Sequence, residues 1–313
     1  MSINKEGNGY TLLFAIIMVV VVGGLLAYIS SSLKPMQQAN VKNEKMQNIL
    51  QAIGLEEIKE LQDSGLLTRE KAGEIFNDYI TERIILNYDG EIVAGSRKTN
   101  LDSISEKDPT DAFNVDVRKY YNNLTKIEKK YEEGSEEFKN ALTEKGITYP
   151  LFVCEKDGQK YYVTYFSGKG LWDDIWGYIS FKEDGRTING SVFDHKGETP
   201  GLGSKIKTKV FNDDFLGKVI TDDNNEYRPI KVIKPGKVRN DYQVQGISGA
   251  TFTAIGDGNN MGVQRMMERS LVVYQKYFSS VKSTSIKTPV IIDTLSMDTL
   301  QMVIDSTAVL AIK

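Results

Sequence analysis

The chain has 313 residues, with 39 Lys and Arg against 42 Asp and Glu, and it contains one His and one Cys. The single Cys (Cys154) excludes an internal disulfide and an iron–sulfur cluster held by this chain alone, and the single His (His195) excludes zinc sites built on pairs of His. The net charge of −3 argues against a nucleic-acid-binding surface, which needs a clear excess of Lys and Arg, so no nucleic acid is expected among the partners.

An uncharged apolar run from Tyr10 to Ile29 follows a short N-terminal tail. Roughly 20 residues at about 1.5 Å rise span about 30 Å, the thickness of the hydrocarbon core of a membrane. The run exceeds the apolar part of a signal peptide, which is about 7–15 residues long, and no small-x-small cleavage site precedes Ser30. We therefore predict a retained single-pass anchor. One Lys precedes the run and three follow it, so charge alone does not place the tail in the cytoplasm (Lys5; Lys34, Lys42 and Lys45).

Three patterns follow the anchor. Residues 36–62 repeat apolar side chains at helical spacing, which predicts a helix whose buried stripe holds Met46, Ile49, Leu50 and Ile53. Residues 80–95 predict two strands joined by a turn at Asp89-Gly90. Residues 98–146 are polar and charged, and they predict a helical excursion that is exposed to solvent and has no binding face.

From Tyr149 the chain is typical of β structure, with Val, Ile, Tyr and Phe alternating around turns at Asp157-Gly158 and Asp184-Gly185. Residues 262–278 return to helical spacing. The last stretch, 281–313, is rich in Ser and Thr and predicts a strand, a helix or a contact with a partner, which the sequence does not distinguish. We expect a tail over 1–9, a membrane helix over 10–30, an α+β domain over 31–280 with its core at 149–278, and an extension over 281–313.

Common catalytic motifs are absent or incomplete. The stretches that begin at Gly201 and Gly256 start like a dinucleotide-binding fingerprint but lack its third glycine, and the stretch that begins at Gly246 misses the last position of a serine-hydrolase elbow. The acidic residues 221–226 do not fit the spacing of a calcium loop and predict a solvated turn. No metal site and no catalytic residue are therefore predicted in this chain.

Three segments instead place glycine and small polar residues inside β-rich sequence: GKGLW at 168–172, GETPGLG at 197–203 and SGATFT at 248–253. Small residues let the backbone approach a ligand closely, a loop entering a helix offers unpaired N–H groups to an anion, and aromatic planes suit a flat heterocycle. The segments are consistent with a site for a phosphate and a ring. Tight turns between strands, with both tryptophans in the core, are the alternative.

The third segment resembles the S-G-A-T motif of proteins that carry FMN on a threonine hydroxyl. Together with GKGLW, GETPGLG and the single anchor, it resembles the C subunits of sodium-translocating NADH:quinone reductases and the related G subunits of Rnf complexes. This resemblance implies one membrane helix, followed by an extracytoplasmic FMN-binding domain with a twisted, mainly antiparallel sheet flanked by helices. The motif usually has Asp six residues before the acceptor, where this sequence has Gln245.

The resemblance also implies residue roles. Thr251 is the expected acceptor of FMN through a phosphoester, and Thr253 is the nearby alternative. Ser248, Gly249 and Ala250 are expected to wrap the phosphodiester. The other cofactor-binding candidates come from the first two segments and are Lys169, Leu171, Trp172, Glu198, Thr199, Leu202 and Gly203. Lys169 is a candidate for the charge of the reduced flavin, with an exposed lysine in a turn as the alternative.

As a subunit, the chain is expected to relay single electrons from an iron–sulfur centre in the membrane subunits to a second FMN in a neighbouring subunit, within a sodium-exporting NADH:quinone reductase. A separate flavin transferase that needs magnesium would attach the FMN from FAD. The resemblance implies a bacterial inner-membrane protein with its C-terminal domain in the periplasm. The alternatives are the G subunit of the Rnf ferredoxin:NAD oxidoreductase complex and a membrane-tethered binding module without a redox role.

Overall fold

One long helix joins the apolar run to the rest of the protein. In the computed structural model, which describes residues 8–97, 108–238, 240–258 and 260–284, helix α1 spans Asn8–Ile53. Its side chains are exposed as far as Val41, and the predicted stripe of Met46, Ile49, Leu50 and Ile53 is buried. By length and composition, α1 is the one helix among the described residues that could cross a membrane.

The expected separate helix over 36–62 is wrong in its bounds. The anchor helix continues without a break to Ile53, and a second helix, α2, spans Glu56–Asp63. Gly54 separates them at φ +75°, and a Cβ at Gly54 would lie 2.5 Å from the carbonyl oxygen of Asn189. A side chain is therefore excluded both by the backbone and by the neighbouring strand. Helix α3 follows at Arg69–Tyr79, with the Thr68 side chain accepting a hydrogen bond from the Lys71 N–H at its start.

The centre of the domain is a six-stranded sheet in the order β2-β1-β3-β4-β5-β6, and every neighbouring pair is antiparallel. The predicted hairpin turns at Gly90, Gly158 and Gly185 are confirmed, each glycine with a positive φ. The strands are β1 Ile80–Leu86, β2 Ile92–Arg97, β3 Tyr149–Lys156, β4 Gln159–Lys169, β5 Asp174–Lys182 and β6 Ile188–His195.

Alternating side chains of these strands bury two separate cores. Phe152 and Val163 face the layer formed by α1 and α3, whereas Leu151 and Phe166 face the opposite layer. The opposite layer contains α4 Tyr121–Lys130, α5 Glu136–Glu144 and α8 Val263–Thr284. The period-2 alternation of a sheet covered on both faces accounts for this division. The expected α+β fold with a mainly antiparallel sheet flanked by helices is confirmed.

The polar segment predicted to be helical and exposed to solvent is helical where it is described, over 108–146, but it packs against the domain. Besides α4 and α5, it forms short 3-10 turns at Ala112–Asn114 and Val117–Tyr120. Its side chains Phe113 and Phe138 are buried, and Asp111 forms a buried ion pair with Arg83 of β1 at 2.6 Å. The apolar residues of this segment are widely spaced among charged residues, so the sequence pattern did not indicate that some of them are buried. Residues 98–107 lie outside the described residues.

The C-terminal part of the domain consists of short elements before α8. They are α6 Lys209–Asp213, the parallel pair β7 Lys231–Ile233 and β8 Gln243–Gln245, and α7 Thr251–Ala254. The acidic stretch 221–226 forms a turn in which the Asp222 carboxylate accepts hydrogen bonds from the backbone of Asn224 and Glu226. No cluster of His, Cys, Asp or Glu among the described residues could hold a metal ion. The extension beyond residue 284 lies outside them, so its role stays a prediction.

Candidate functional site

The three small-residue segments meet at one end of the sheet. The first is the turn between β4 and β5, and the second follows β6, whose last residue, His195, pairs with Ile175 of β5. The third enters α7. The connection from α7 to α8 returns to β4, because the Gly262 N–H donates to the Lys169 carbonyl at 2.8 Å. Segments that are far apart along the chain are thus brought to a common surface.

The Glu198 carboxylate joins all three segments. Its side chain is buried, and Oε1 accepts a hydrogen bond from the Trp172 N–H at 2.9 Å while Oε2 accepts one from the Thr253 hydroxyl at 2.7 Å. The Glu198 N–H donates to Nδ1 of His195 at 3.2 Å. No cation lies within salt-bridge distance of this carboxylate in the described part of the chain, so neutral donors alone stabilise it. Glu198 was predicted to bind the cofactor, which stays a prediction, and in the structure its carboxylate contacts the other two segments.

Glycines make this convergence possible. A Cβ at Gly170 or at Gly203 would collide with the carboxylate oxygens of Glu198. Gly249 has φ +78°, and a Cβ there would lie 2.8 Å from Cδ2 of Leu202. The loops therefore contact each other through backbone and carboxylate at positions where any side chain would push them apart.

The two threonines of the third segment have opposite environments. Thr251 is the first residue of α7 and is exposed to solvent, whereas Thr253 is 1% exposed and donates its hydroxyl hydrogen to Glu198. Ser248 and Gly249 are exposed beside Thr251, and Ala250 is buried beneath them. Of the two threonine hydroxyls, that of Thr251 is therefore the one open to reaction with a partner from solution. The helix predicted over 262–278 is confirmed as α8, and the four-residue helix α7 comes before it.

Large apolar side chains surround this surface without being buried. Trp172 is 65% exposed, and Phe252, next to Thr251, is 51% exposed. Leu171 and Leu202, from the other two segments, are each 44% exposed. Thr199 is also exposed, and its carbonyl accepts the N–H groups of Leu202 and Ser204. The alternative interpretation, with both tryptophans in the core, is wrong for Trp172 and holds in part for the half-buried Trp176.

Lys169 lies at the rim of this site in an ionic cluster. Its ammonium is 3.5 Å from carboxylate oxygens of both Asp173 and Asp174, and the Lys196 ammonium is 3.2 Å from the other oxygen of Asp173. The Asp174 N–H donates to the Asp173 carboxylate at 2.8 Å, and with Lys196 it holds the pKa of Asp173 below its usual value. Lys169 thus already has two acidic neighbours. Sequence reasoning missed these two Asp residues, although they directly follow Trp172.

A third carboxylate that sequence reasoning missed, that of Asp214, lies near the end of β8. The Gln245 N–H donates to the Asp214 carboxylate, and the Gln245 side-chain oxygen accepts the Gly236 N–H at 3.2 Å. Asp214 therefore places a carboxylate beside the backbone of Gln245, the residue at which the resembling motif usually has Asp. Because Asp214 is distant in sequence, no spacing rule could have indicated it.

Comparison with known proteins supports one family. The FMN-binding domain family matches residues 170–267, which contain the second and third segments whole and the first segment from Gly170 onward. A crystal structure of the C subunit of the Na(+)-translocating NADH-quinone reductase from Parabacteroides distasonis is 32% identical, covers 79% of this chain and 97% of its own, and superimposes with a TM-score of 0.57. The crystal structure of Shewanella oneidensis NqrC is 25% identical with a TM-score of 0.50, and it covers 77% of this chain and 98% of its own. The corresponding C subunit from Vibrio vulnificus (strain YJ016) is 27% identical over 72% of this chain and 77% of its own length.

Proposed function

This chain belongs to the family of the C subunits of Na(+)-translocating NADH-quinone reductases, and we propose that it carries one FMN on the Thr251 hydroxyl and relays single electrons within such a complex. Family membership makes it a membrane-anchored flavoprotein subunit of a redox complex, with FMN as its cofactor. Attachment of FMN to Thr251 Oγ1, the relay of electrons and the coupling to sodium export are our proposals.

The contrast between Thr251 and Thr253 carries the proposal. A phosphoester at Thr253 would remove the hydroxyl hydrogen that the buried Glu198 carboxylate accepts, and it would place a phosphodiester charge against that carboxylate. Thr251 is exposed and has no such conflict. Attachment from FAD would join the FMN phosphorus to Thr251 Oγ1, with AMP as the leaving group and the hydroxyl proton released.

The residues of the site fit a flavin with a phosphate tether. Gly249, in its left-handed conformation, leaves the backbone beside Thr251 open to a phosphodiester, and Ser248 adds a hydroxyl there. Trp172 and Leu202 offer exposed apolar surface to a flat ring. When bound, FMN supplies the one-electron redox chemistry of the subunit. Glu198 holds the loops that carry these groups, so the chain contributes position and shielding from water.

We also propose the surroundings that this role needs. They are an iron–sulfur centre in the membrane subunits as electron donor, a second FMN-bearing subunit as acceptor, and a magnesium-dependent flavin transferase for maturation. The proposed sidedness places the domain, residues 31–280, in the periplasm. A membrane-bound cofactor on that side gains from a covalent bond, because a dissociated FMN would be lost by dilution. We favour this complex over the related Rnf complex because the matched relatives are C subunits of NADH-quinone reductases.

The test is a denaturing gel viewed unstained under ultraviolet light. The chain is co-expressed with a flavin transferase as wild type, Thr251→Ala and Thr253→Ser. We expect a fluorescent band for wild type and for Thr253→Ser, which keeps the hydroxyl that Glu198 needs, and a dark band for Thr251→Ala. A fluorescent Thr251→Ala band, or a dark wild type beside a fluorescent control flavoprotein, would overturn the assignment.

A further inference from the structure

A basic groove lies on the face of the sheet opposite α8, between the membrane-proximal part of α1 and residues 113–119. Its volume is about 610 Å³, and it is open to solvent along one side. Five cationic side chains line it, and Asp116 is the one carboxylate among its lining residues. The cations are Lys34, Lys42, Lys45, Arg118 and Lys119.

Most of this positive charge is not compensated. The Asp116 carboxylate oxygens lie 3.4 Å from nitrogen atoms of both Arg118 and Lys119, so one negative charge is shared between two positive charges. Lys34 and Lys42 form no ion pair with the described part of the chain. Residues 30–42 of α1 contain no Asp or Glu, so the wall of the groove nearest the membrane is purely basic. Such a surface attracts an acidic partner.

Lys45 forms the floor of the groove and has no carboxylate within 4.0 Å among the described residues. Its ammonium donates to the carbonyls of Phe113 at 2.5 Å and Val115 at 3.2 Å, and it lies 4.6 Å from the centre of the Tyr165 ring. Burial lowers the pKa of Lys45 to about 7, while Asp116 and Asp111 oppose this change and Arg118 adds to it. A cation held only by carbonyls and ring faces gains from an anion placed beside it.

The dimensions of the groove favour a peptide over a lipid. From Lys34 to Lys45 the helix rises about 16 Å, which is the length of about five extended residues. Lys42 lies about 20 Å beyond Ile29 along the helix axis, whereas the headgroup layer on each side of a membrane is about 5–8 Å thick. A phospholipid headgroup can therefore reach Lys34 but not the cations deeper in the groove.

We propose that this groove binds an acidic, extended segment of a membrane subunit of the same complex. The segment carries at least two Asp or Glu residues within about five positions, and it seats beside α1 where α1 leaves the membrane. The inference rests on membership of a multi-subunit complex and is independent of where FMN is attached. It predicts that assembly depends on groove charge while flavin attachment does not.

The experiment uses the whole complex, purified through a partner subunit at increasing salt. The double variant Lys42→Glu, Lys119→Glu reverses the charge of one half-buried and one exposed cation of the groove, and Lys145→Glu is the control, an exposed lysine outside the groove. We expect the double variant to bind about tenfold more weakly and Lys145→Glu to behave as wild type. A double variant retained as well as Lys145→Glu overturns the proposal.

A second measurement identifies the occupant. A photo-reactive residue replaces Val41, which lines the groove and is 53% exposed, and in a control chain it replaces the exposed Val210 outside the groove. The expected result is a crosslink from position 41 to an acidic segment of a membrane subunit. A crosslink to lipid, to a neutral segment or to this chain itself would overturn it. The in-gel flavin fluorescence of all variants is recorded in parallel, so that failure of the Thr251 assignment is seen separately.

Discussion

Two buried carboxylates hold two different regions of this protein together. Asp111 on the α1 face of the sheet is neutralised by Arg83, which is itself fully buried, with contacts at 2.6–3.0 Å. Glu198, at the end of the sheet where the three small-residue segments meet, is equally inaccessible but is stabilised by a hydroxyl and a backbone N–H. The Asp111 pair joins a segment to β1, the strand next to the edge of the sheet, whereas Glu198 joins loops to one another.

The difference shows which region is built for stability. An ion pair in the core costs a large free energy when one partner is lost, so it fixes the segment 108–146 to β1 firmly. A carboxylate held by neutral donors gives a weaker, local constraint that orders loops without determining the fold. The end of the sheet where the three segments meet can therefore hold its apolar side chains in solvent, open to a cofactor or partner, while the sheet supplies the stability. Three substitutions test this division, beginning with the largest expected effect.

Arg83→Ala should be the most destabilising. It leaves the Asp111 carboxylate buried, with the Phe113 N–H still donating to it, and losing one partner of a buried pair costs about 3–5 kcal/mol. Urea unfolding of the full chain in detergent measures the loss. The control is Lys209→Ala, whose ion pair with Asp63 is exposed and is worth less than about 1 kcal/mol. Equal effects of the two substitutions would remove the distinction between core pair and surface pair.

Glu198→Ala should cost less stability and more function. It leaves the Trp172 N–H and the Thr253 hydroxyl without their acceptor, a loss of about 2 kcal/mol confined to the loops. The loops then separate, and we expect flavin to attach to Thr251 more slowly. The increase of in-gel fluorescence over time measures the rate of attachment. Glu198→Gln keeps one oxygen for Trp172, and the Thr253 hydroxyl can turn to accept, so attachment should stay near the wild-type rate. If Glu198→Gln slows flavin attachment as much as Glu198→Ala does, then attachment needs the negative charge of Glu198 as well as its hydrogen-bond acceptors.

The sequence predicted the local elements well and the long-range partners poorly. Turns at Gly90, Gly158 and Gly185 and the buried stripe of α1 depend on neighbours in the chain, and all are confirmed. The packing of the segment 108–146 against the domain and the contact of Asp214 with Gln245 depend on partners distant in sequence, which no periodicity reveals.

The candidate site shows the same limit. The three small-residue segments were recognised because glycine and small polar residues interrupt β-rich sequence. That Glu198 joins them, and that Thr253 rather than Thr251 is its partner, became visible only in three dimensions. The sequence pattern therefore indicates where a site lies, while the assignment of roles within it needs the packing of the loops.

Lys45→Met should give the smallest measured change, a difference in how stability depends on pH, and it extends the comparison to a buried group of opposite charge. Lys45, like Glu198, is held by neutral groups, and burial lowers the pKa of its ammonium to about 7 from an ordinary value near 10.5. Between these two pKa values the unfolded chain binds the proton and the folded chain does not, so the free energy of unfolding rises with pH. The Lys45 contribution amounts to about 1 kcal/mol between pH 7 and 8.

Methionine fills similar space without a titrating group, so the variant should lack this contribution. Compared with wild type, it should be more stable near pH 7, and the gap should close by about 1 kcal/mol at pH 8. Urea midpoints of the full chain in phosphate-free buffer at both pH values measure the gap. Phosphate is left out because an anion in the groove would raise the pKa of Lys45 and hide the effect. Parallel stability curves for the two chains would mean that the ammonium is as well hydrated in the groove as in the unfolded chain, and the analogy with Glu198 would then be wrong.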